Sequence, residues 1–279
     1  MKIKIALAQM SPILEDKEKN LQKMDKMITE AANQGAQLVV FPELILTGYS
    51  CRDRYYSLAE RVPGNSVKRV ESLANKNNIH VIFGMVEENG EGILYNTSVM
   101  VGPKGYIGKY RKRYLPTHLV FEEKKYFRQG YDTQVLETEI GKIGLMICYD
   151  IYFPELARQL TLMGSQLIVC ISSSPATRRG YFETFISSRA MENTVFLAYV
   201  NLVGVEDSLI FWGGSRVVGP DGTIIAKAKY DEEELVTATI DYSDLKASRI
   251  AAPVLRDLRP EIFYELYQLS KKDIRLSNL

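Results

Sequence analysis

Ile143-Gly144-Leu145-Met146-Ile147-Cys148-Tyr149-Asp150-Ile151-Tyr152-Phe153-Pro154-Glu155 is the stretch on which the reading of this chain turns. Its first five residues have the length and bulk of a buried strand, and Pro154 suits the first turn of a helix. Cys148 then falls at the carboxyl end of a strand, facing the start of a helix. In α/β sheets ligands bind in this crevice, and a helix N-terminus lowers a thiol's pKa and favours the nucleophilic thiolate. Free cysteine is also among the most buried residue types, so the rest of the chain has to decide.

Outward from this stretch, strands and helices alternate. Strand patterns cover 3–9, 38–41, 80–86, 95–101, 106–110, 133–138, 142–147, 167–171, 195–201, 214–218, 223–228 and 235–240. Helix patterns cover 17–33, 66–77, 153–163 and 181–191; in the first, Leu21, Met24, Met27, Ile28 and Ala31 share one face and Gly35 ends it. Ser98-Val99-Met100-Val101-Gly102-Pro103-Lys104-Gly105 echoes Ser215-Arg216-Val217-Val218-Gly219-Pro220-Asp221-Gly222, each a strand, a turn and a second strand. Roughly a dozen strands are too many for one strongly twisted open sheet. The expected α/β fold is therefore a four-layer α-β-β-α sandwich, two packed sheets with outer helices, with an open doubly wound sheet as the alternative. No Pro/Ser-rich linker divides the chain, so 1–270 reads as one domain followed by a polar tail, 271–279.

The length of 279 residues is ample for a core, and the net charge of +1 gives no electrostatic reason to expect nucleic acid or an anionic membrane. No apolar run is long enough to span a bilayer, and the start has no signal-peptide pattern. Three widely spaced cysteines, Cys51, Cys148 and Cys170, fit a reducing cytoplasm. The two histidines, His80 and His118, have no ligand spacing to any cysteine, so no metal is expected.

Two further spots resemble the setting of Cys148. In Val39-Val40-Phe41-Pro42-Glu43-Leu44 a glutamate follows an apolar strand, where desolvation raises a carboxyl pKa and suits a general base. In Lys109-Tyr110-Arg111-Lys112-Arg113-Tyr114-Leu115-Pro116 a basic run is interleaved with tyrosines. Such a run is usually a solvated face, but a lysine held in a pocket can stabilise an oxyanion. G-x-S-x-G, G-x-G-x-x-G and Walker A patterns are absent.

Taken together, Phe41-Pro42-Glu43-Leu44, Tyr110-Arg111-Lys112, and Ile147-Cys148-Tyr149-Asp150 with Phe153-Pro154-Glu155 resemble, in order and spacing, the nitrilase superfamily of carbon–nitrogen hydrolases. The resemblance implies a triad of Glu43, Lys112 and Cys148, with a second glutamate at Glu123 or its neighbour Glu122, and no cofactor. Leu46-Thr47-Gly48-Tyr49 and Tyr199-Val200-Asn201-Leu202-Val203-Gly204 look most like the glutaminase domain of glutamine-dependent NAD synthetase. The segment Ala176-Thr177-Arg178-Arg179-Gly180 departs from that domain, and Tyr149-Asp150 is closer to free-standing amidases.

The expected chemistry is hydrolysis of a small amide through a cysteine thioester. N-carbamoyl amines, nitriles, ammonia supply to a separate synthetase, and a non-enzymatic binding module are the rival readings. Tyr49, His118, Phe127, Tyr149 and Ser174 are the candidate pocket wall. Family members commonly pair through the helix after the nucleophile, here 153–163, which implies a homodimer or larger.

Overall fold

The computed structural model describes residues 1–271; apart from Lys271, the expected tail lies outside the described residues. The strands are β1 (Lys2–Gln9), β2 (Leu38–Val40), β3 (His80–Glu88), β4 (Leu94–Gly102), β5 (Gly105–Arg111), β6 (Val135–Thr138), β7 (Gly141–Ile147), β8 (Leu167–Ser172), β9 (Phe196–Asn201), β10 (Val203–Glu206), β11 (Leu209–Trp212), β12 (Arg216–Val218), β13 (Ile224–Lys227) and β14 (Glu234–Asp241). The helices are α1 (Lys17–Asn33), α2 (Tyr55–Leu58), α3 (Asn65–Asn77), α4 (Glu123–Tyr126), α5 (Pro154–Leu162), α6 (Arg179–Met191), α7 (Ser243–Ala251) and α8 (Pro260–Ser270).

Two six-stranded sheets form, in the orders β14-β1-β2-β3-β4-β5 and β13-β12-β9-β8-β7-β6, with β10-β11 as a separate hairpin. Period-two alternation in β1 explains the layering. Ile3, Ile5 and Leu7 pack toward the second sheet, in the same cluster as Leu145, Val169 and Ala198. Ala6 and Ala8 face the opposite way, with Met24 and Ile28 of α1 and Val67 and Val70 of α3. On the other side, Leu156 and Leu160 of α5 and Ile186 of α6 cover the second sheet. The α-β-β-α sandwich is thus the fold, and the open single sheet is not.

The two sheets repeat one topology. Each has three parallel strands (β1-β2-β3 and β7-β8-β9), an antiparallel hairpin at one edge (β4-β5 and β12-β13) and one antiparallel strand at the other. The sequence echo at Ser98 and Ser215 marks the two edge hairpins. Because β5 runs in the same sense as β3, the carboxyl ends of β2 and β5 open on the same edge of their sheet. No helix among the described residues is long and apolar enough to cross a membrane.

Candidate active site

Cys148 is the first residue of a tight 3-10 turn, Cys148–Tyr152, inserted between β7 and α5. Its φ of 47° is left-handed, a costly conformation for a side chain with a Cβ, and it turns the thiol off the strand line. The thiol is buried, and burial together with the charge of Glu43 holds its pKa well above the ordinary value, against the pull of Lys112. The expected helix-activated thiolate is not what the structure shows: the 3-10 turn stands between Cys148 and α5, and burial and the charge of Glu43 push the thiol pKa up.

Glu43 follows β2 and is fully buried. Its Oε1 accepts hydrogen bonds from Lys112 Nζ and Asn96 Nδ2, both at 2.7 Å, and its Oε2 accepts one from the Ser173 amide at 2.7 Å. Ser173 follows β8, the strand that corresponds to β2 in the repeated topology, so the two sheets meet through equivalent positions. Ser173 also donates its hydroxyl to the Glu43 carbonyl, 3.0 Å. Gly84 of β3 makes room for this backbone: a Cβ there would sit 2.7 Å from Glu43 Cα and closer still to the Leu44 nitrogen.

Lys112, just past β5, bonds Glu43 and Glu123 at 2.7 Å each, with all three side chains shut from solvent. Burial opposes its charge, but the two carboxylates prevail and hold its pKa well above that of a free lysine. Glu123, not Glu122, is the second glutamate against Lys112; Glu122 is exposed. Burial pushes Glu123 up to about 7, with Glu43 adding to the rise and Lys112 opposing it. Its Oε1 also accepts the Tyr49 hydroxyl at 2.8 Å, while its Oε2 has no partner.

The expected wall residues divide between two cavities. His118, Tyr149 and Ser174 line a void of ≈ 10 Å³ against Cys148, together with Phe121, Tyr152 and Arg178. That is barely the room of one water molecule, so an entering amide must displace side chains there. Tyr49 and Phe127 instead line a cavity of ≈ 230 Å³ that reaches Glu123, and Tyr49 acts on the site through its hydrogen bond to that carboxylate. Reading the sequence missed Asn96, Ser173 and Asp150, which bind Glu43 or the turn of Cys148. The signal available for Asn96 was a polar residue inside an otherwise apolar strand, where a buried amide needs partners.

The carbon–nitrogen hydrolase family model matches residues 4–250. A nitrilase of Pyrococcus abyssi is 36% identical, with 94% of this chain and 99% of that protein covered. An omega-amidase of Xenopus tropicalis is 34% identical over 97% of this chain and 99% of its own length. A glutamine-dependent NAD(+) synthetase of Aquifex aeolicus is 34% identical over 89% of this chain but only 44% of that enzyme. Among solved structures, a variant of the Nesterenkonia sp. AN1 amidase superposes with a TM-score of 0.83 at 26% identity, covering 94% of this chain and 96% of that one. That structure carries the acetamide moiety of fluoroacetamide covalently added at its active-site cysteine. The chain belongs to the carbon–nitrogen hydrolase family, the nitrilase superfamily, and is a hydrolase of carbon–nitrogen bonds.

Proposed function

We propose that this protein hydrolyses the amide of a small linear molecule through a thioester on Cys148. The observation that carries the reading is one buried lysine shared by two carboxylates beside a buried thiol. A thiol whose pKa is held high needs a base at the moment of attack, and Glu43 is the carboxylate nearest in role. Glu43 takes the thiol proton as sulfur bonds to the amide carbon. The oxyanion meets the Lys112 ammonium and the Tyr149 amide, which lies in the first turn, where amides lack a partner within the turn. Collapse breaks the C–N bond, and Glu43 passes its proton to the departing nitrogen. Water, deprotonated by Glu43, then attacks the thioester; the C–S bond breaks and the thiolate regains the proton. Net, amide and water give a carboxylic acid and ammonia or an amine. Glu123 holds Lys112 and orients the amide or the water.

The adduct on the Nesterenkonia amidase cysteine supports the covalent step, and the omega-amidase relative supports an amide as substrate. The test is ammonia release from a panel of amides, N-carbamoyl compounds and nitriles, with acid-quenched mass spectrometry of the protein. An acyl group on Cys148, absent from Cys148→Ala, is the expected result. Full amide turnover by Cys148→Ala overturns the mechanism.

A further inference from the structure

Two serines at the end of β8 serve opposite sides of the active site. Ser173 faces the first sheet, where its amide and its hydroxyl hold Glu43. Ser172, one residue earlier, points the other way, as alternation along a strand requires. In the parallel register of β7 and β8, Ile147 pairs with Ile171, which sets Cys148 beside Ser172. Burial and the charge of Glu43 raise the Cys148 pKa, while Lys112 and a hydrogen bond from the Ser172 side chain pull it back.

The Ser172 hydroxyl is oriented from behind. Tyr199 of β9 donates its phenol hydrogen to Ser172 Oγ at 3.0 Å, and both side chains are fully buried. A buried phenol needs an acceptor, and two rings hold this one in place to reach it. Trp212 stacks on Tyr199 at 6.0 Å with 23° between the planes, and Phe182 of α6 lies 5.6 Å away. Because Ser172 Oγ accepts from Tyr199, its own hydrogen is left for the Cys148 sulfur. Neither Ser172 nor Tyr199 lines the cavity against Cys148, so neither is placed to touch a substrate.

We propose that Tyr199 and Ser172 form a hydrogen-bond relay that steadies the Cys148 sulfur as a thiolate, both as it attacks and as the thioester releases it. The proposal rests on Cys148 as the nucleophile, as read above, and makes Ser172 and Tyr199 positioning residues. In that reaction Lys112 and the Tyr149 amide serve the oxyanion, which leaves the sulfur to other donors. A thiolate shut from water is costly without a donor. A hydrogen bond to an ionised group is roughly twice as strong as one between neutral groups, so the Ser172 bond tightens when charge gathers on sulfur. An interaction that strengthens toward the transition state raises kcat.

The experiment measures two rates in wild type, Ser172→Ala, Tyr199→Phe and the double variant. One is alkylation of Cys148 by iodoacetamide, followed by peptide mass spectrometry; the other is ammonia release from an amide that wild type turns over. Ser172→Ala is expected to slow alkylation about ten- to hundred-fold, the range of a hydrogen bond to a charged group, and to lower kcat with KM little changed. Tyr199→Phe is expected to slow alkylation about three- to ten-fold. In the double variant the Tyr199→Phe change should add nothing, since a relay acts only through Ser172. An alkylation rate unchanged in Ser172→Ala overturns the proposal. So does a Tyr199→Phe effect as large in the Ser172→Ala background as in wild type, which marks packing alone, and so does a wild-type Cys148 that iodoacetamide leaves unmodified. If Ser172→Ala fails to fold, Tyr199→Phe decides: slower alkylation supports the relay and a wild-type rate overturns it. If wild type releases no ammonia from any amide, the hydrolytic reading fails, and the alkylation rates still judge the relay.

Discussion

The Tyr110 hydroxyl donates a 2.8 Å hydrogen bond to Asp150 Oδ2, and this bond ties β5, the strand that leads into Lys112, to the turn that carries Cys148. Oδ2 also accepts from the Ile147 amide at 2.9 Å, and Oδ1 accepts from the Tyr114 amide at 3.0 Å. One carboxylate therefore grips the residues on either side of Lys112 and the residue before the nucleophile. Burial raises Asp150 to about 6, against those hydrogen bonds and the charge of Lys112. Tyr110→Phe removes one donor and leaves the other two, so a loss of about 1 kcal/mol is expected in urea denaturation. Asp150→Asn turns an N–H₂ toward a donor and should cost about 2–3 kcal/mol. Both should lower kcat more than they raise KM, because they shift Lys112 relative to Cys148 and touch no substrate. An unchanged kcat in Asp150→Asn speaks against the tie.

Lys112→Ala leaves Glu43 and Glu123 buried together without their cation. Breaking a buried ion pair costs about 3–5 kcal/mol, so this variant should be much less stable than Cys148→Ala, as well as inactive. Adding Glu123→Gln should restore part of the stability but no turnover, since the two carboxylates are coupled through the lysine. Equal stability of Lys112→Ala and Cys148→Ala counts against the charged cluster.

Glu123 gives the fold a pH dependence of defined sign. Its folded pKa of about 7 lies above the ordinary glutamate value of 4.5. Between those values the folded state keeps a proton that the unfolded chain has lost, so its contribution to stability is complete below about 4.5 and is lost as pH rises through about 7. The stability of wild type relative to Glu123→Gln should therefore fall across this window and level off above it. Tyr49→Phe removes a hydrogen bond that lowers the Glu123 pKa and should extend the fall to higher pH. Urea denaturation across a pH series reads both effects, and a relative stability that rises with pH contradicts them.

Gly84→Ala is expected to be among the most damaging small substitutions in the molecule. The new methyl would meet backbone, Glu43 Cα at 2.7 Å, and backbone cannot step aside as a flexible side chain can. A loss of about 3 kcal/mol or more is expected, with turnover falling further than for an alanine placed at exposed Gly180, where a Cβ meets nothing within 4 Å. Thermal melts and ammonia release measure the two effects, and near-wild-type activity in Gly84→Ala argues against this role for the close approach.

Most of the regular structure was legible because it is written locally. Alternation in β1, the one-sided apolar face of α1, and the apolar runs of β7 and β8 each need only near neighbours to be read. The β10–β11 hairpin, α7 and α8 were not anticipated. The hairpin strands are only four residues each, and α8 has no buried residue from which a core-facing stripe could be inferred. Asn96, Ser173 and Asp150 were also out of reach, since their importance lies in partners brought from 53, 130 and 40 residues away.

Sequence by itself determined the layered α/β architecture and put Glu43, Lys112 and Cys148 at the ends of strands, since both follow from apolar period and from turn residues. Only the tertiary structure decided that Glu123 rather than Glu122 meets Lys112. Adjacent residues at the start of a helix point different ways, and which way is inward depends on sheets packed from the whole chain. Only the tertiary structure reversed the expected thiol pKa, because desolvation and the charge of Glu43 act through space. It also separated Arg178 from Arg179, two identical neighbours in sequence that the packing of α6 assigns to a cavity and to Glu183.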